Sequence, residues 1–98
     1  MSVQMVFELG RKQGAEAILQ AIEVYKAKLK TSISRTQQHL QEFEEKYNVS
    51  TKYFLQNMAA EDLQGGDMEY IEWAGEARIL EKLESELTEL KNVRYQLH

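Results

Sequence analysis

ILQAIEVYKAKLKTSISRTQQHLQEFEEKY, residues 18–47, is the stretch that decides the fold. Within it Ile18, Ile22, Tyr25, Leu29, Ile33, Thr36, Leu40, Phe43 and Tyr47 recur every three or four residues, with Val24 the main exception. The mean step is close to the 3.6 residues per turn of a straight α-helix rather than the 3.5 of a strict heptad. The chain has no Pro, and Gly10 and Gly14 precede the stripe. The spacing therefore predicts one uninterrupted helix over residues 15–47, roughly 50 Å long at 1.5 Å per residue. One apolar stripe on so long a rod needs another surface to cover it.

Downstream, KYNVS breaks the pattern. Asn48 tolerates the left-handed conformation that ends a helix, and Ser50 is a favourable N-cap for the next. Val49 and Phe54 are spaced for a hydrophobic staple across that cap. Residues 51–62 read as a short helix with Phe54, Leu55, Met58 and Ala59 on its apolar side. Gly65 and Gly66 then permit a tight turn, and Asp67 is placed to cap a third helix over residues 67–96. That helix carries Ile71, Ala74, Ala77, Leu80, Leu83, Leu87, Leu90 and Leu97, with Trp73 and Val93 beside the line.

Upstream, Val3, Met5, Phe7 and Leu9 alternate with other residues at period two. Residues 1–14 are thus expected to be strand-like or frayed, and a lone strand would need a twin or a partner edge. The whole is one all-α domain spanning residues 1–98: two long antiparallel helices joined by a short one, since short connections make neighbours antiparallel. A two-helix hairpin has no closed core. Dimerisation into a helical bundle is expected, packed through Ile18, Ile22, Leu29, Ile33, Leu40 and Phe43 of the first helix and Leu80, Leu83, Leu87 and Leu90 of the last.

Composition narrows the function classes. The net charge is -4 and there is no Cys, so disulfides and Cys-zinc sites are excluded. No apolar run approaches the ~20 residues that cross a bilayer. The basic residues of MSVQMVFELGRKQG follow its apolar patch rather than precede it, which does not suit a signal peptide, so a soluble cytoplasmic chain is expected. Bases prevail over residues 1–40 and acids over residues 41–98. The basic cluster Lys26, Lys28, Lys30 and Arg35 spreads around its helix with no nucleic-acid-binding motif to frame it, so DNA is a weak candidate partner.

Catalytic patterns are missing. His39 and His98 are the only histidines, and Ser32 and Ser34 are not three or four residues from His39. No phosphate-binding loop is present. An enzyme and a bound cofactor are therefore not expected. Glu69, Glu72 and Glu76 share one helix face, and His39 and Glu42 share another. A carboxylate-bridged metal centre would need a Glu-x-x-His pair on each of two helices, whereas this chain has one His-x-x-Glu. No metal is expected.

The acids around the only Trp have two explanations. Asp67, Glu69 and Glu72 favour the positive end of a helix dipole, which needs no partner. Tyr70, Ile71 and Trp73 among Asp67, Glu69, Glu72 and Glu76 also make a binding surface, with aromatic anchors and carboxylates that steer a basic protein. A single Trp in a small helical domain equally serves as core, and the sequence leaves both readings open.

LQEFEEKYNVSTKYFLQNMAAEDLQGGDMEYIEWAGEARILEKL, residues 40–83, resembles a group of small helical proteins of cyanobacteria, other bacteria and archaea. The resemblance is carried by Phe43-x-x-x-Tyr47, a capped short helix, the Gly66-Asp67 turn and the following Tyr70, Glu72 and Trp73. Members of this group look like the antitoxin halves of type II toxin–antitoxin pairs. The resemblance implies an antitoxin-like chain whose acidic helical half masks a basic toxin, a nuclease by expectation. The alternative is a homodimeric helical scaffold with no toxin partner.

Overall fold

The computed structural model of the chain describes the backbone of residues 3–97 and the side chains of residues 14–93. Three helices follow in order: α1 (Val3–Tyr47), α2 (Thr51–Asn57) and α3 (Gly66–Leu97), with one 3₁₀ turn at Ala60–Asp62. Phe43 meets Trp73 while Tyr25 reaches Glu86, so rising numbers on α1 meet falling numbers on α3 as both approach the connection. The two long helices are antiparallel neighbours, and the body measures 57 × 19 × 19 Å. No helix among the described residues is long and apolar enough to cross a membrane.

The N-terminal alternation does not form a strand. α1 already runs from Val3, and among the described residues there are no strands. A helix satisfies its backbone within itself, whereas a lone strand leaves its donors and acceptors without an edge to pair with. Ser2 lies outside the described residues.

The buried stripe of α1 also differs from the expected one. Ala15, Leu19, Ile22, Lys26, Leu29, Ile33, Thr36, Leu40, Phe43 and Tyr47 are all buried or half-buried, and they step strictly by four and three. On α3 the matching set is Glu69, Trp73, Glu76, Leu80, Leu83, Leu87 and Leu90. Both are seven-residue repeats, the spacing of an antiparallel coiled coil. Tyr25 is displaced from the seam to its margin, 44% exposed, where its hydroxyl donates to Glu86. Lys26 takes the inner place, only 7% exposed, and pairs with Glu23 at 3.3 Å. Thr36, also buried, returns its hydroxyl to the Ser32 carbonyl at 2.9 Å, so this polar seam position is satisfied within its own helix. Ile18 is half-buried beside the seam.

The connection follows its local chemistry. Asn48 has φ 55°, the left-handed stop, and Ser50 Oγ accepts the Tyr53 N–H at 3.0 Å. The Thr51 N–H donates to Glu44 at 2.7 Å, tying α2 back onto α1. The expected helix over 51–62 is broken at Met58 and Ala59, which are extended. The Ala59 N–H donates to the Asp62 carboxylate at 2.8 Å, so an aspartate side chain closes a separate 3₁₀ turn. At the next corner Gly66 has φ 61°. Asp67 is not the cap of α3 but lies within its first turn. The carboxylate that reaches back over the start of α3 is Glu69, which accepts the Gly65 N–H at 3.1 Å.

These corners place α2 across the α1–α3 seam and create the main core there. Leu40, Phe54, Leu63 and Trp73 are buried, with Phe43, Tyr47, Val49, Met58, Tyr70 and Leu80 packed around them. Val49 and Phe54 thus join one cluster, as the staple spacing anticipates.

Candidate functional site

Trp73 is 0% exposed and belongs to the core. Phe54 stacks on its indole at 3.9 Å between centroids and 2° between planes. Phe43 and Tyr47 stack on it at 5.1 Å and 5.6 Å. Its Nε1–H donates to Thr51 Oγ1 at 3.0 Å, which removes the cost of burying that donor. Trp73 is therefore unavailable as a binding anchor, a correction to the surface reading. Tyr70 is half-buried, tilted against Phe54 at 5.0 Å.

Ile71 has the opposite fate. Two residues from Trp73 on a helix means about 200° of rotation. Ile71 is 65% exposed, on the side away from the seam, and does not belong to the packing line of α3. Met68 is 77% and Ile79 49% exposed, and with Gly75 they place residues 68, 71, 75 and 79 on one outer stripe. Met68 and Ile79 are not among the candidates that the sequence singles out. Their signal is a spacing of three, four and four with Ile71 and Gly75, a helical line distinct from that of Trp73 and Leu80.

The acids divide as well. Glu69 holds α1 to α3: Lys46 Nζ donates to its Oε2 at 2.6 Å, and the Tyr47 hydroxyl donates to its Oε1. These partners and the Gly65 N–H pull its pKa down to about 2, and its carboxylate in turn raises the Lys46 pKa. The Tyr47 oxygen also accepts the Gln64 N–H at 2.9 Å, so one carboxylate organises the corner before α3. Glu76 is half-buried beside His39, 3.4 Å from Nδ1. Asp67 and Glu72 are exposed on α3, and Glu42 is exposed on α1.

Between α1 and α3 these groups line a cleft of about 390 Å³ that includes His39, Glu42, Lys46, Glu69, Glu72 and Glu76. The hairpin thus does bring together the two faces that sequence spacing singled out. They do not make a cation site: Lys46 already neutralises Glu69, and among the described residues no group of three or more His, Asp or Glu is placed to hold a metal ion. Of the basic cluster, Lys26 is buried, which leaves Lys28, Lys30 and Arg35 exposed and weakens that surface for an anion.

A second opening, not foreseen from sequence, lies on the α2 side of the seam. It is an open groove of about 700 Å³ with Leu40, Leu55, Ala77 and Leu80 along it. Leu55 belongs to α2 and is 47% exposed, so α2 turns only part of its apolar side inward. No family model matches the chain, and no curated protein or solved structure matches it either.

Proposed function

We propose that the protein is an antitoxin-like binding protein that engages a basic protein partner with the outer face of α3. The observation that carries this reading is the pair Met68 and Ile71, 77% and 65% exposed, flanked by exposed Asp67 and Glu72. Large apolar side chains bordered by carboxylates supply both halves of such recognition. Desolvation of Met68 and Ile71 gives affinity, and the acids steer and orient a cationic surface. Trp73 and Glu69 contribute indirectly: the aromatic stack and the Lys46–Glu69–Tyr47 contacts hold the first turns of α3 in place. A prearranged surface loses less conformational entropy on binding. Glu76 and Glu72, on the cleft side, extend the negative field toward α1.

The test is co-expression with the product of the neighbouring gene. The expected result is rescue of growth, abolished by Met68→Lys with Ile71→Lys while circular dichroism and Trp fluorescence stay those of the parent. Because both residues are exposed, their replacement is expected to change stability by no more than about 0.5 kcal/mol. An equally effective double variant, or the lack of a toxic neighbour, would overturn the reading. A homodimeric scaffold with no toxin partner is the second reading, favoured by the open apolar groove.

A further inference from the structure

We infer that the groove between α1, α2 and α3 is covered by a second copy of this chain, related by a two-fold axis. The inference concerns the side of the hairpin away from the acidic cleft and is independent of the binding role assigned to Met68 and Ile71. On α1, the groove takes Gln37, Gln41 and Glu44, whereas the cleft takes His39, Glu42 and Lys46. These sets alternate on either side of the seam formed by Thr36, Leu40 and Phe43, so the two openings face opposite ways.

Two observations choose the occupant. The first is area. The chain exposes 7447 Å². A compact monomer of 11.4 kDa exposes roughly 5,800 Å² by the surface-to-mass relation, leaving an excess of about 1,700 Å². An obligate dimer removes about 1,000–2,500 Å² from each partner, so the excess, summed over the whole elongated chain, is of the size that one such interface buries. The groove is also open rather than enclosing, unlike a pocket that surrounds a small molecule.

The second observation is charge. A two-fold interface presents the same patch from both sides and must therefore be complementary to itself. The acidic cleft would oppose carboxylate to carboxylate and fails that requirement. The groove meets it: its rim has one acid, Glu44, one base, Lys52, and the amides of Gln37, Gln41 and Gln56, each able to donate and accept. Its apolar floor offers Leu55, 47% exposed, and half-buried Leu80. Packing groove on groove sets four long helices side by side and gives the seam the third and fourth walls that α2 supplies only at one end.

Sedimentation velocity on the purified full chain tests this, with Leu55→Glu as the first variant. Leu55 is half out of the fold, so the change leaves the hairpin intact, as Trp73 fluorescence will report. The parent is expected to be a dimer, weakened more than roughly thirtyfold by a charge at a central apolar contact. Gln37→Glu with Gln41→Glu, both exposed, adds like charge to each rim and is expected to weaken it in the same direction. Ile71→Glu, on the outer stripe, is expected to leave it unchanged. A parent that is monomeric at the concentrations of an NMR sample overturns the inference. So does a dimer broken by Ile71→Glu but not by the groove variants, or a lipid retained in the groove in native mass spectrometry. Loss of toxin rescue at Met68 and Ile71 with the dimer intact would fall on the proposed function alone.

Discussion

The two ends of the hairpin are built from the same two helices and yet are packed differently. At the head, where α2 crosses the seam, Leu40, Phe54, Leu63 and Trp73 are buried and three aromatic rings stack on the indole. Along the stalk the buried residues of the described region are Ala15, Lys26, Leu29 and Thr36, two of them polar. Leu83, Leu87 and Leu90 stay half-buried although they occupy strict heptad positions. The difference is the number of walls. A heptad seam between two helices shields its side chains from two sides only, and seven residues of α2 suffice to close a core where they lie. Position in the repeat therefore sets which side chains turn to the seam, while complete enclosure of large side chains, as at Phe54 and Trp73, is found where α2 adds a third wall.

The largest test of that contrast is a matched pair of truncations. Trp73→Ala is expected to cost about 3–5 kcal/mol in urea unfolding, because it removes the centre of the stack and leaves a cavity. Leu29→Ala, in the stalk, is expected near the lower end of the leucine range, about 2 kcal/mol, since an open seam collapses around the loss. Equal costs would show that the stalk is as closed as the head, either within one chain or by its partner.

Lys26 sharpens the comparison from the other side. A buried lysine in a seam loses hydration that its exposed Glu23 neighbour only partly restores. Lys26→Leu is expected to stabilise the chain by about 1 kcal/mol in the same assay, while relaxing the helix register that one polar seam position helps to define. A destabilised variant would mean that the lysine stem and its ion pair are better accommodated than their position suggests.

The smallest expected effect belongs to Glu69 at the head. Its pKa falls from 4.5 to about 2 on folding, through Lys46 and Tyr47. A depressed carboxylate stabilises the fold fully above its unfolded pKa and loses that contribution as pH falls through its folded one. The thermal midpoint of the parent is therefore expected to drop between pH 4.5 and about 2. Glu69→Gln should begin lower, and its gap from the parent should narrow over the same interval. A gap that stays constant with pH would assign the corner to the Tyr47 and Gly65 contacts rather than to charge.

Much of this architecture was already legible in the chain. Continuous three-and-four spacing without Pro predicts α1 and α3, Asn48 and Ser50 mark the turn between α1 and α2, and Gly66 marks the start of α3. Such signals are local: they depend on helix periodicity and on which residues tolerate positive φ or cap a helix end. That His39 and Glu42 share one face and Glu69, Glu72 and Glu76 another was legible too from helix spacing, whereas their meeting across one cleft depends on the phase of the two helices.

What only the tertiary structure decided is which of two nearby candidates turns inward. Tyr25 and Lys26, and Ile71 and Trp73, are chosen not by hydrophobicity but by phase, and the phase of a helix is set by the surface it meets. A residue-by-residue tally of apolar side chains favours Tyr25 over Lys26, while the seven-residue register shared by both helices places Lys26 in the seam. The same register, with α2 arriving over Trp73, encloses the indole and leaves Met68 and Ile71 to face away. The spacing of apolar residues determined that this chain would be two amphipathic rods; the contact between them determined which side chains remain to meet anything else.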